Sequence, residues 1–433
     1  MSNPLQQVLI ITYYWPPSGG AGVQRWLKFV KYLPVFGWQP VVLTVDPEFA
    51  TYPVKDDSLL KDVGPDVEVL RTRSKEYFSI YQKITGKKQV PFGGFANEDK
   101  LTFTQKISRF VRGNFFIPDP RKGWNNYALK KASDIIQERN IKYVITSSPP
   151  HSTQLIGEEL KQKFDIKWIA DFRDPWTDIS YYNMFYPTTF ARNLDKKLEQ
   201  IVLQKADRII TVSPFLHQLF SEKIKGSPEK ITTIYNGFDE EDFNSLPTKT
   251  SAEFTITYVG TLSEAYPVQT FAETLNALNS ENVKINLLFV GKVAPEQMRL
   301  LKEHLPGENI EFIDYLPHDE AVRYMTVSSA LLLIIPEDPQ NKGIITGKIF
   351  EYLAAKKPIL LIGPEDGDAA NIIRETSSGV VVNYNNRQKM KDKIMLLYEA
   401  SQKGEGIQVG KNIEQYSRKS LTRNLSDLLN ELL

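Results

Sequence analysis

Short apolar runs, rich in β-branched residues, alternate with amphipathic segments from one end of the chain to the other. The first series is Val8–Thr12, Pro40–Val45, Val67–Leu70, Tyr143–Ser147, Trp168–Asp171, Arg208–Val212 and Thr232–Ile234. The second is Phe254–Val259, Lys284–Val290, Ile310–Ile313, Ala330–Ile335, Pro358–Ile362 and Val380–Val382. Runs of this length, bounded by Gly, Pro and Ser and separated by helical patterns, predict parallel strands covered by helices on both faces. That is α/β, doubly wound architecture. With 433 residues the chain exceeds one typical core, so two Rossmann-like domains facing across a cleft are expected. The polar stretch FNSLPTKTSAEF (243–254) reads as the linker. The expected domains are 1–245 and 253–410. Residues 411–433 follow as one or two helices packing back on the first domain.

Composition removes several function classes. Net charge is +1, which does not fit a polycation for nucleic acid, and no reader motif accompanies the local charge. The absence of cysteine excludes disulfides, thiolate metal sites and a cysteine nucleophile. The four histidines, at 151, 217, 304 and 318, have no metal-ligand spacing, and no metal or cofactor is expected. The opening MSNPLQQVLIITYYWPP lacks a basic n-region and reads as a strand rather than a signal peptide. No apolar segment approaches the ~20 residues of a spanning helix, so a cytoplasmic protein is expected. Residues 71–123 break the alternation, with twelve Lys or Arg against four Asp or Glu and many aromatics between them. This region is either a solvated insertion or a basic, aromatic surface for an anionic interface, such as the inner face of a membrane.

Four segments carry candidate chemistry. In YYWPPSGGAGVQRW, Gly19, Gly20 and Gly22 lie between the first strand and a helix expected to start near Val23. The glycines make either a plain turn or a close approach, with helix N–H groups suited to an anion. In GIITGKIFEYLAAKKPILLIG (343–363), Thr346 and Gly347 open a helix holding Lys348 and Glu351. Bare N–H groups and a lysine there suit phosphate, and a carboxylate one turn on suits a ribose diol. A surface i,i+3 pair is the alternative reading of Lys348 and Glu351. In DFRDPWTD (171–178), Arg173 and Asp174 follow a strand, either as a structural ion pair or as cleft groups for substrate hydroxyls. His151, in SSPPHSTQ, follows another strand end and is either a packed histidine or a ligand contact.

The 343–382 segment resembles the nucleotide-sugar-binding motif of family 4 glycosyltransferases, which have the two-domain GT-B fold. Further landmarks appear in that family's order: the opening glycine loop and first helix, ADRIITVSPFLHQLF, ITTIYNGFDEEDF with Asn236, Gly237 and Asp239, ITYVGTLSEAYP and LLFVGKVAPE. The resemblance implies a retaining, metal-independent transferase that moves a sugar from a nucleotide-sugar donor to an acceptor hydroxyl. It implies Asp174, Arg173 and Lys348 as catalytic residues. Gly20, Gly22, Gly260, Thr261, Lys292, Thr346, Gly347, Lys348 and Glu351 are the expected donor contacts, with His151 and Trp176 on the acceptor. The first of the family's paired glutamates falls on Gly343, and the loop at Gly260-Thr261 lacks the usual basic residue, so Lys348 and Lys292 are expected to substitute. The ADFRDPWTD form resembles a subgroup of bacterial surface-polysaccharide assembly, which implies a glycan or lipid-linked acceptor and peripheral contact with an anionic membrane. An epimerase on the same fold, or a silent sugar-nucleotide binder, are the competing readings.

Overall fold

The computed structural model of the protein describes residues 5–75, 102–224, 226–244, 253–305, 309–404 and 410–433. The chain forms two compact units, Met1–Tyr235 with Arg418–Leu433, and Asn236–Ser417.

The first unit is built on seven strands: β1 (Gln6–Ile11), β2 (Trp38–Val45), β3 (Glu68–Thr72), β4 (Tyr143–Ser148), β5 (Lys167–Phe172), β6 (Arg208–Thr211) and β7 (Ile231–Thr233). They are parallel and run in the order β3-β2-β1-β4-β5-β6-β7. Successive strand residues point to opposite faces. Val8 and Ile10 pack under the first helix with Trp26 and Phe29, while Leu9 and Ile11 pack on the other face with Trp124, Ile135 and Leu160. Both faces are dry, and this is why the strand sequence is apolar throughout rather than alternating.

The second unit holds β8 (Thr255–Val259), β9 (Asn286–Val290), β10 (Ile310–Ile313), β11 (Ala330–Ile334), β12 (Ile359–Ile362) and β13 (Gly379–Val382). These are also parallel, in the order β10-β9-β8-β11-β12-β13. In each sheet the strand order reverses once, between β1 and β4 and between β8 and β11. The loops leaving those strands diverge and open a crevice at their carboxyl ends.

The helix Arg418–Asn430 packs with the first unit, where Leu421, Leu425, Leu428 and Leu429 join the core around Trp26 and Phe29. The short turn Glu240–Phe243 goes with the second unit, because Phe238 bridges to Ser417 and its N–H donates to the Tyr416 carbonyl at 3.0 Å. Within the basic stretch, residues 76–101, including Tyr77, Phe78, Tyr81, Phe92 and Phe95, lie outside the described residues. The remainder forms the helix Phe103–Phe115, started by a reciprocal capping box between Thr102 and Gln105.

Candidate active site

In the first unit the strand-order reversal puts the loop after β1 beside the loop after β4. The first helix begins at Ala21, and Gly20 before it adopts φ 103°. That is a backbone state an L side chain rarely takes. Gly22 is glycine for a different reason. A Cβ there would stand 1.6 Å from Nη1 of Arg173. The space beside Gly22, an expected donor contact, is therefore filled by a guanidinium of the same unit. Arg173 is held there by its Nε, which donates to the Ser148 carbonyl at 3.1 Å, and its Nη2, which donates to Pro149 at 2.7 Å.

A cavity of about 450 Å³ opens at this point, walled by the glycine loop, His151, Arg173, Asp174, Trp176 and Tyr181 among others. The three acids of DFRDPWTD have different fates. Asp171 is fully buried and accepts from Arg25 at 2.9 Å, Trp26 Nε1 at 2.9 Å and Ser147 at 2.8 Å. It ties the first helix to β4 and β5. Asp178 pairs with Lys223, which also donates to Glu199. Asp174 makes no hydrogen bond or ion pair among the described residues, Arg173 included, so the ion-pair reading does not hold. Its carboxyl is raised above the usual range by burial, with the Arg173 charge opposing. Tyr181 beside it is pushed up to about 12, by burial first and then by the Asp174 charge.

His151 stacks on Trp176, with ring centroids 5.0 Å apart and planes 9° apart. Burial, and then the charges of Arg173 and Lys223, push its imidazole down to about 3, so it is neutral at physiological pH. Trp176 donates through Nε1 to Asp195 at 2.7 Å, and Tyr182 donates to the other oxygen at 3.0 Å. Both expected acceptor contacts thus line the cavity as a rigid wall. The sequence reading missed Arg112, which the helix Phe103–Phe115 brings into the same cavity. Only the tertiary approach of that helix reveals it.

In the second unit the crevice between β8 and β11 holds the other cluster. The helix Gly347–Ala354 starts here, and Tyr352 pins it to the sheet by accepting from the Val259 N–H at 2.9 Å. Gly260 adopts φ 118°, and a Cβ there would stand 2.5 Å from Cε of Lys348. The lysine lies in this gap, with Nζ 4.1 Å from the Tyr258 ring centroid and 5.8 Å from that of Tyr266. It donates to the Tyr258 hydroxyl at 2.5 Å, and that hydroxyl donates to the Thr261 carbonyl at 2.7 Å. Burial pushes the Lys348 ammonium down to about 7, with Glu351 opposing. Lys348 makes no ion pair within 4.0 Å among the described residues, so it is not a surface partner of Glu351.

Thr346 precedes the helix, yet its side chain caps no helix N–H. Its Oγ1 is buried and has no hydrogen-bond partner among the described residues. Glu351 Oε1 lies 3.9 Å from His318 Nδ1, and His318 Nε2 lies 3.4 Å from Asp242. Neither His318 nor Asp242 carries a local signal that would single it out. Lys292 is exposed, and its side chain makes no hydrogen bond or ion pair among the described residues. No three His, Cys, Asp or Glu side chains among the described residues converge to hold a metal ion.

Residues 92–242 match the family profile described as Glycosyltransferase Family 4, and residues 253–400 match Glycosyl transferases group 1. The chain is 25% identical over 178 residues to the putative teichuronic acid biosynthesis glycosyltransferase TuaH of Bacillus subtilis (strain 168), covering 40% of this chain and 44% of that protein. The aligned part is therefore less than half the length of that curated relative. Among solved structures, a glycosyltransferase from Rickettsia africae superposes with a TM-score of 0.64 at 16% identity over 99% of both chains. Anabaena HepE in complex with UDP superposes with a TM-score of 0.63 at 13% identity, over 98% of this chain and 100% of that one. These likenesses establish the GT-B type of fold.

Proposed function

Because the chain belongs to the family 4, group 1 glycosyltransferases, we propose that it moves a sugar from a nucleotide-sugar donor to an acceptor hydroxyl, with retention of anomeric configuration. One observation carries the donor half. The Thr346 hydroxyl is buried without a protein partner at the start of a helix whose first N–H groups lack a side-chain cap. Such a place favours a phosphate, through the N–H groups and the helix dipole. Lys348 stands two residues on, its stem in the Gly260 gap. In this reading Thr346, Gly347 and Lys348 hold the diphosphate and carry its growing charge as it leaves, without a metal ion. Glu351, one turn further, accepts the ribose hydroxyls. HepE structures with UDP and with UDP-glucose support a donor of that class.

The acceptor half rests on the cavity of the first unit. Asp174 receives the acceptor hydroxyl, the Arg173 charge opposes the effect of burial on its carboxyl, and His151 stacked on Trp176 supplies a sugar-sized wall. A lipid-linked or glycan acceptor of cell-surface polysaccharide synthesis fits the resemblance to TuaH. No helix among the described residues is long and apolar enough to cross a membrane, so a lipid-linked acceptor would be met by peripheral contact.

The test is a panel of UDP-, GDP- and dTDP-sugars, read by donor hydrolysis and by calorimetry of the matching nucleotides. One nucleotide should bind, and Glu351→Ala should weaken it by roughly ten- to a hundredfold, the about 1.5–3 kcal/mol of a lost charged hydrogen-bond partner. Unchanged affinity in a folded variant would overturn the assignment of Glu351.

A further inference from the structure

We propose that Tyr258 is a positioning residue for Lys348: its ring and hydroxyl hold the lysine at the end of β8, where it meets the donor diphosphate. The inference rests on reading Lys348 as a diphosphate contact. The end of β8 and the loop beyond it wrap the lysine from several sides. The Tyr258 ring lies against Nζ, with its centroid 4.1 Å away. The bare Cα of Gly260 leaves room for the stem, since a Cβ there would stand 2.5 Å from Cε. The Thr261 carbonyl lies 3.5 Å from Nζ. The helix that carries the lysine is tied to the same strand one turn further on, where the Tyr352 hydroxyl accepts from the Val259 N–H at 2.9 Å. Residues four apart share one face of a helix, so Tyr258 and Val259 of the strand hold Lys348 and Tyr352 of the helix in step.

The Tyr258 hydroxyl can act on the lysine in one sense only. A carbonyl accepts and never donates, so the hydroxyl gives its proton to Thr261, at 2.7 Å. Its lone pairs then accept from Lys348 Nζ, at 2.5 Å. The side chain is fully buried, which raises its pKa well above that of a free tyrosine and keeps it neutral. An ammonium has three N–H groups, of which Tyr258 and Thr261 take two and leave one for a phosphate oxygen. A neutral amine has only two, and none would be left. An acceptor fixed in this way favours the charged lysine, against the burial that opposes it. The other titratable groups acting on this pair are Glu351 on the lysine's own helix, which also favours the charge, Tyr266 from the loop after β8, and Tyr352. Burial raises both of these tyrosines, so they stay neutral as well.

The experiment measures binding of UDP, GDP and dTDP to the full chain by calorimetry, from about pH 6 to about pH 9, for wild type, Tyr258→Phe and Lys348→Met. A terminal phosphate titrates near ~6 itself, and Lys348→Met, which keeps that effect and lacks the lysine, is the reference. Tyr258→Phe removes one oxygen and keeps the ring in the core, so the fold is retained. Relative to Lys348→Met, wild-type affinity should fall as the pH rises above about 7. In Tyr258→Phe the fall should begin about one pH unit lower, the worth of a lost charge-assisted hydrogen bond. The variant should then bind about tenfold more weakly than wild type at pH 8 and only about twofold more weakly at pH 6. A uniform loss at every pH, or a profile like that of wild type, overturns the role of Tyr258 and leaves the reading of Lys348 intact. If wild type and Lys348→Met share one profile, or none of the three nucleotides binds, the diphosphate reading of Lys348 fails and this inference fails with it.

Discussion

Asp174 and Lys348 are opposite charges under the same pressure, since burial pushes each toward its neutral form. Asp174→Asn keeps the shape and removes the charge. Turnover should fall about a hundredfold or more, the usual worth of a positioned acid or base. The melting temperature should hold or rise, because no protein donor on Asp174 is lost among the described residues. A large loss of stability with full activity per folded molecule would make Asp174 structural. Lys348 gives a proton-linked prediction. Free, its ammonium titrates near 7, so at pH 8 most molecules are neutral there. A bound diphosphate favours the charged form and raises that value. Nucleotide diphosphate binding should therefore take up close to one proton at pH 8 and almost none at pH 6. Calorimetry in two buffers of different ionisation enthalpy measures this, and Lys348→Met should abolish the uptake. Binding without uptake would place the phosphates elsewhere.

At the scale of elements, the helix Phe103–Phe115 has two working faces. Gly113 and Arg112 face inward, where a Cβ on Gly113 would strike the Phe185 carbonyl at 2.4 Å. Outward, Phe103, Ile107 and Phe110 follow one another at i, i+4 and i+7, and Phe103 is 76% exposed. Phe190 on the neighbouring helix Thr189–Lys205 is equally open at 76%. An exposed apolar stripe beside basic residues is suited to the interface of an anionic bilayer, where each lysine or arginine is worth about 1 kcal/mol. The protein should co-sediment with anionic vesicles at low salt and release as salt rises. Phe103→Ser with Phe110→Ser should reduce the bound fraction severalfold without changing nucleotide affinity. Indifference to anionic vesicles at low salt would remove the membrane from the proposal. The sequence reading took this region only as a solvated insertion or a basic, aromatic surface; that it holds a helix, and which face of that helix turns outward, depends on the packing of Gly113 and Arg112 against Phe185.

At the scale of the whole molecule, the chain enters the second unit after Tyr235 and returns to the first at Arg418. The returning helix supplies part of the first unit's core, with Leu425 and Leu429 fully buried. Leu425→Ala should cost about 2–5 kcal/mol. The loss should appear as a lower unfolding temperature of the first unit, with nucleotide affinity of the second unit retained. Loss of nucleotide binding at a temperature where the variant is folded would mean that this helix serves the second unit.

The parallel sheets were readable from the sequence because a strand covered on both faces must be apolar along its length. That pattern is local, and each predicted run coincides with a strand to within two residues. The helix start at Gly347 was readable for a similar reason, since Thr346, Gly347, Lys348 and Glu351 stand within one short stretch of the chain. Other features depend on groups far apart in sequence. Gly22 is glycine because Arg173 fills its space, and Gly260 because Lys348 does. The local sequence says only that the backbone is bare there. Asp171 and Asp174 stand three residues apart in one motif, yet one ends in the core holding Arg25 and the other in a cavity. Asp171 lies within β5 and Asp174 in the loop beyond its end, but only the packed first helix determines that Asp171 meets a buried cation. Arg112 likewise gains its place when a helix outside the sheet docks on the Phe185 turn, a contact that no local spacing encodes.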